Sequence, residues 1–376
     1  MLRSIKFFIT LFLSVFLFVF AFQSSSNLRC FKNEFLSNSS LTLNIKTLNP
    51  LIHSIACDPS NNLILRIKVL NSSGIPVPIT LSVSDNKGRI SPSDIKTDKC
   101  GESLVTYYPP EYDSKLLMKE NDFVTITSKI KGTTVKSSIK VELKRTPIIF
   151  IHGYQATSGA FANMSDFYNS KGYETSAMDY KSENGVEAAS KILCKTLYDK
   201  KMYYMSMGFQ VQKFDLVAHS MGGLVARFYS CGKEYFKYCN IRKVIFVSVP
   251  QNGSPLASLG EAYFEDQGIK DLVPDNKLYT SLFPKMINKG LNNNIQVGSI
   301  CDQFDEVVNK ESSTLEEWNI CTEMYVVHSN NTQNNNLFNG DIIQAINHNN
   351  ILNNKNVIER IYGMLTSQLP YPALLR

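Results

Sequence analysis

Ser220 stands where a nucleophile would be put in this 376-residue chain. Phe214-Asp215-Leu216-Val217-Ala218-His219 reads as an apolar strand, and Met221-Gly222-Gly223-Leu224-Val225-Ala226-Arg227 opens a helix with Leu224, Val225 and Phe228 on its apolar face. A strand turning sharply into a helix lifts a serine hydroxyl clear of the sheet, the layout of a nucleophile elbow. The turn is expected to bring position 218 against position 222, so that a Cβ beyond Ala at either would clash. The helix start aims free N–H groups and partial positive charge at the reacting centre. A serine hydroxyl is a weak nucleophile at neutral pH. It needs a base within reach, and the base needs a carboxylate to hold its tautomer. His219 adjoins the serine and cannot turn back to it. His328 and His348 follow with room for an acid before them, and Asp305, Asp302 and Asp341 are the acids to weigh.

The elements that must position these residues alternate. Ile148-Ile149-Phe150-Ile151 is a continuous apolar run, as a strand buried on both faces of a parallel sheet requires, and it ends in His152-Gly153-Tyr154. Helix signals over 161–168 and 184–204 and strand signals over 174–180, 241–249 and 295–300 follow. A strand is expected at 342–347, with His348 at its end, before a closing amphipathic helix carrying Val357, Ile358, Ile361, Met364 and Leu365. Such alternation means an α/β domain, a mostly parallel sheet flanked by helices.

Ala218-His219-Ser220-Met221-Gly222 resembles the elbow of α/β-hydrolases, and among them of secreted bacterial-type lipases. The likeness extends over about residues 146–365. Pro250-Gln251-Asn252-Gly253-Ser254-Pro255 is similar to a lipase phrase after the next strand. The resemblance implies that the N–H groups of Tyr154 and Met221 form the oxyanion hole, with His152 structural. It implies Asp305 as the acid in the loop after its strand, and His348 as the base between last strand and last helix. Asn347 departs from the glycine that many lipases carry there. Carboxylic-ester hydrolysis of lipids through an acyl-enzyme is the implied reaction, with no organic cofactor and no metal site expected. Two alternatives share these residues: a lipid acyltransferase, and a catalytically dead surface or adhesion protein. Residues 256–293 form a long connection in which Phe264, Leu272, Val273, Leu278, Leu282, Phe283 and Met286 are expected to line a cap over an acyl chain and meet a lipid interface.

The N-terminal part reads differently. Residues 1–26 have a basic start, an apolar run from Phe7 to Phe22 and small polar residues after it, as a signal peptide does, so export is expected; an uncleaved anchor is the alternative. Residues 27–145 carry short alternating strands at 63–70, 79–83, 123–127 and 135–141, separated by Gly and Asn turns, which suggests a β-sandwich. Gly74-Ile75-Pro76-Val77-Pro78 and Thr97-Asp98-Lys99-Cys100-Gly101 resemble phrases of bacterial immunoglobulin-like domains. A spacer or docking role, or simple stabilisation of residues 146–376, is expected of this part. The formal charge of +6 falls to +4 without Arg3 and Lys6, and the basic residues are scattered, so no nucleic-acid footprint is expected. Of the eight cysteines, short separations favour pairing Cys231 with Cys239 and Cys301 with Cys321.

Overall fold

In Leu63–Leu70 the side chains alternate, so Leu63, Leu65, Ile67 and Val69 are buried while Ile64, Arg66 and Leu70 face water. That pattern repeats through the first part of the computed structural model, which describes residues 41–111, 122–286, 291, 294–328, 338–339, 342–343 and 345–370. The expected signal segment, Cys30 and Asp341 lie outside the described residues.

Nine strands come first among the described residues: β1 (Thr42–Thr47), β2 (Ser54–Ala56), β3 (Leu63–Leu70), β4 (Pro78–Val83), β5 (Arg89–Ser91), β6 (Asp94–Lys96), β7 (Glu102–Tyr108), β8 (Asp122–Ile130) and β9 (Lys136–Lys144). One sheet runs β1-β3-β7-β5, and a second contains β2-β9-β8-β4-β6. Their inner faces share one apolar core that includes Ile45, Leu65, Ile67, Val105, Ile126 and Val141.

The second part is built on β10 (Ile148–Ile151), β11 (Thr175–Met178), β13 (Phe214–His219), β14 (Ile241–Val247), β15 (Gln296–Asp302) and β16 (Glu323–Val327). They form one sheet in the order β11-β10-β13-β14-β15-β16, and every neighbouring pair is parallel. Successive residues point to opposite faces, and both faces are covered. Ile149, Ile151, Leu216, Ala218, Val244 and Phe246 join the core under α2 (Val186–Ser206) and α3 (Met221–Ser230). Ile148, Phe150, Val217, Ile245 and Val247 join the core under α1 (Ala162–Ser170) and the closing helix Lys355–Thr366. Burial on both sides is why these strands are continuously apolar. The order reverses between β10 and β13, and in open α/β sheets ligands bind at such a switch point, beyond the carboxyl ends of the strands.

The two parts are joined by more than the chain. A short strand, β12 (Phe209–Gln210), leaves the end of α2 and pairs in parallel with β2, extending the second sheet of the sandwich. The Asn61 side chain accepts the Gln212 N–H at 2.7 Å, and the Gly208 carbonyl accepts the His53 and Ser54 N–H groups.

Two expectations are corrected. The last strand of the sheet is Glu323–Val327, not 342–347. Among the described residues Ile342–Ile343 pairs with Phe338–Asn339 alone, and residues 346–350 are helical. The expected disulfides are absent as well: Cys231 is not bonded to Cys239, nor Cys301 to Cys321. A helix, α4 (Lys233–Tyr238), separates Cys231 from Cys239, and its six residues span about 9 Å, beyond the roughly 7 Å reach of a disulfide. Cys301 lies opposite Val326, which puts Cys321 about 16 Å away along the strand direction.

Candidate active site

Beyond three adjacent strands lie non-glycine residues at positive φ: Ser220 at 53° and Ser248 at 47° directly after β13 and β14, and Gln155 at 52° in the loop after β10. Such conformations cost about 1–3 kcal/mol each and gather where a site must hold its groups in fixed directions. Ser220 is the sharpest of these turns, with ψ at −130°, and α3 starts at the next residue. Met221 is therefore a first-turn residue, whose N–H has no intrahelical acceptor.

The glycines around Ser220 are required by close approach. A Cβ on Gly222 would lie 2.4 Å from the Ile151 and His152 carbonyl oxygens, so the nearest obstacle is the end of β10. A Cβ on Gly153 would lie 2.8 Å from the Ser220 Cβ and 3.3 Å from its Oγ. Gly153 thus lets the loop after β10 close directly over the serine. In that loop the Tyr154 N–H has no acceptor among the described residues. Its neighbours are fixed: the Gln155 N–H donates to Ser182 Oγ at 2.8 Å and the Tyr154 hydroxyl donates to Asp266. His152 is buried, stacked on Tyr180 at 4.3 Å.

Asp305 and His348 meet. The His348 Nδ1 lies 2.9 and 3.0 Å from the two carboxylate oxygens of Asp305, and both side chains are almost wholly buried, at 6% and 1% exposure. Asp305 Oδ1 also accepts the N–H groups of Val307 and Val308, at 2.8 and 2.9 Å. Burial works to raise the Asp305 pKa, but the charge and hydrogen bond of His348 and the Val308 N–H outweigh it and hold it below its ordinary value. An ionised Asp305 fixes a proton on Nδ1 and leaves Nε2 as the ring's basic atom. No hydrogen bond joins Ser220 Oγ to the His348 ring among the described residues. In unliganded sites such contacts are commonly long and tighten with substrate.

The other candidates go elsewhere. His328 is exposed and contacts Gln303 at 2.6 Å, and Asp302 caps its own turn by accepting the Phe304 N–H. Two contributors were not visible in the sequence. His219, adjacent to the serine, contacts the His348 carbonyl through Nε2 at 2.9 Å, and its ring lies 4.7 Å from that of His348. A carbonyl can only accept, so Nε2 carries the proton. Burial, with the nearby His348, lowers the His219 pKa to about 3, keeping the ring neutral. The second is Glu306, which receives backbone N–H groups of the His348 segment. Among the described residues no three His, Cys, Asp or Glu side chains converge as metal ligands.

The segment expected to cap the site folds as α5 (Pro255–Gly260), α6 (Gln267–Leu272) and α7 (Phe283–Met286). Leu272, Leu278 and Phe283 are buried in the core beside α3 instead of lining a cap. The buried Arg227 guanidinium sits in the corner between the perpendicular rings of Phe283 and Trp318, 4.0 and 4.1 Å from their centroids. Leu259, Tyr263 and Phe264 remain 57%, 82% and 43% exposed, and the Phe264 ring packs edge-on against Tyr154.

The family model described as PGAP1-like alpha/beta domain matches residues 142–352. No curated protein matches the chain in sequence. Among solved structures it is similar to a lipase of Bacillus licheniformis, BlEst2, at 15% identity, TM-score 0.47, covering 59% of this chain and 92% of that one. It is also similar to the lin2722 product of Listeria innocua, at 16% identity, TM-score 0.42, 60% and 95% covered. A third is the phospholipase PlaB of Legionella pneumophila, at 15% identity, TM-score 0.38, 45% and 44% covered. The matched stretch holds the elbow serine, Asp305 and His348 and exceeds half the chain: the protein belongs to the family of the PGAP1-like alpha/beta domain.

Proposed function

We propose that this protein hydrolyses carboxylic esters of lipids, with Ser220 as nucleophile, His348 as base and Asp305 as the acid that orients it. The observation that carries this reading is the buried Asp305–His348 pair, held through His219 beside a serine at the strained end of a central strand. Substrate binding brings the His348 Nε2 and the Ser220 hydroxyl into hydrogen-bond reach. Ser220 Oγ attacks the ester carbonyl as His348 takes its proton, and the N–H groups of Tyr154 and Met221 receive the oxyanion. Collapse expels the alcohol, protonated by His348. Water activated by the same ring then releases the acid and frees Ser220.

Phe264 supports a lipid substrate, since it puts a partly exposed apolar ring against Tyr154 at the site's edge, and Leu259 and Tyr263, near it in sequence, add exposed apolar surface. Export, with residues 1–26 as the signal and residues 27–145 as an immunoglobulin-like module ahead of the catalytic residues 146–376, is part of the same proposal. It rests on the basic and apolar order of the N-terminus and on the two-sheet architecture.

A fluorophosphonate probe tests the chemistry. The intact protein labels at one serine, Ser220→Ala does not label, and its kcat on p-nitrophenyl esters falls on the order of 10⁶-fold. Labelling that survives Ser220→Ala would rule the reading out. Preference for aggregated over dispersed esters tests the lipid assignment.

A further inference from the structure

His348 is the second residue after the start of a short helix, α8 (Ile346–Asn350), whose N-cap residue Ala345 supplies no capping side chain. The first N–H groups of a helix have no intrahelical acceptor and must be satisfied from outside. Here a single remote carboxylate does it. Glu306 Oε2 accepts the Asn347 N–H at 3.0 Å and the His348 N–H at 3.2 Å, and Oε1 lies 3.1 Å from the Asn347 N–H. The Asn347 side chain adds a bond to the Phe304 carbonyl at 3.0 Å.

This places Glu306 and Asp305 on one turn, with two different holds on one histidine. Asp305 grips the ring and Glu306 the backbone N–H, while His219 takes the backbone carbonyl. A ring held only by Asp305 could swing about that contact. Fixing both polar groups of the 348 backbone removes that freedom. The anionic clamp also matches the positive end of the helix, and charge-assisted bonds to backbone N–H groups are stronger than neutral ones.

We infer that Glu306 is a positioning residue for the proposed reaction, holding the backbone of His348 so that its ring meets Ser220. The inference rests on the Ser220–His348–Asp305 reading. It concerns geometry rather than charge, and glutamine separates the two: one amide oxygen in the place of Oε2 can accept both N–H groups. Aspartate keeps the charge but is one methylene too short to reach.

The test is steady-state kinetics of full-length Glu306→Ala, Glu306→Asp and Glu306→Gln on a soluble p-nitrophenyl ester, with melting temperatures, pH–rate profiles and fluorophosphonate labelling rates. Glu306→Ala and Glu306→Asp are expected to lose about 10- to 100-fold in kcat, with KM within about twofold, since displacement of a reacting group by about 1 Å costs about that much. Glu306→Gln is expected to stay within about fivefold of the parent in kcat and labelling rate, with an unshifted pH–rate profile. Parent kcat in Glu306→Ala overturns the inference. So does equal loss in Glu306→Gln and Glu306→Ala, or a loss matched by the unfolded fraction. If Glu306→Ala does not fold, the Gln–Asp comparison decides alone. Ser220→Ala is run beside them: its activity tests the triad, and an inert Ser220→Ala with a fully active Glu306→Ala refutes only the clamp.

Discussion

Gly153→Ala tests the approach of the oxyanion loop to the nucleophile with one methyl group. Gly153 is not at positive φ, so alanine brings no backbone strain, and the effect comes from contact alone. The new Cβ would lie 2.8 Å from the Ser220 Cβ, and ordinary contact begins at 3.4 Å, so loop and serine must separate by about 0.6 Å. The loop carries the Tyr154 N–H, and the serine sits on a rigid turn between β13 and α3. An oxyanion donor moved that far loses much of its bond. Complete loss of one donor costs about 10²–10³ in kcat, or about 3–4 kcal/mol, so partial loss should cost about 10- to 100-fold. KM on a short p-nitrophenyl ester should change little, because the ground-state carbonyl does not fill the hole. Melting temperature should fall by only a few degrees, since the loop can lift at the rim of the sheet. The assay is kcat and KM, with active-site titration to count competent serines. A kcat within twofold of the parent would refute the close approach, as would a loss explained by a fall in titratable serine.

Asp305→Asn should reduce kcat by about 10⁴-fold with structure intact, through loss of the correct imidazole tautomer; a loss below tenfold in the same ester assay would remove Asp305 from its role. His219 should make the fold acid-sensitive. The unfolded chain takes up its proton near the ordinary 6.5, and the folded chain only near about 3. Stability present above pH 6.5 is therefore lost as pH falls toward 3, by up to roughly 4–5 kcal/mol. Urea melts of His219→Asn at pH 7, 6, 5 and 4 should show a flatter slope than the parent, and an unchanged slope would refute the burial argument. Lys243→Met should cost about 2–4 kcal/mol in denaturant melts, because the buried ammonium donates to the Met364, Leu365 and Ser367 carbonyls at the end of the closing helix; a variant as stable as the parent would mean those carbonyls find other donors.

The central sheet was legible where burial on both faces forces continuous apolar runs, as in Ile148–Ile151 and Ile241–Val247. The last strand was not. Glu323–Val327 is an edge strand, with four of its five residues only half-buried, and the more apolar Ile342-Ile343 drew the assignment away. The elbow read clearly because strand, turn and helix are local. Gly222 was rightly marked as a place that must stay small, but its obstacle is the carbonyl edge of β10, about 70 residues away in sequence. Glu306 and His219 were missed as supports for the same reason. A carboxylate capping a helix 41 and 42 residues downstream, or an imidazole bonded to a carbonyl 129 residues away, leaves no periodic trace. Only packing reveals them.

The pairing of β12 with β2 limits how the chain can be recombined. A fragment beginning near residue 146 would expose Phe209-Gln210 as an unpaired ribbon, and its counterpart ending there would present β2 with a bare edge, the kind of border on which strands of other molecules assemble. Transplanting the front half onto another enzyme would therefore require carrying that dipeptide, and the turn from Gly208 to Gln212, along with it.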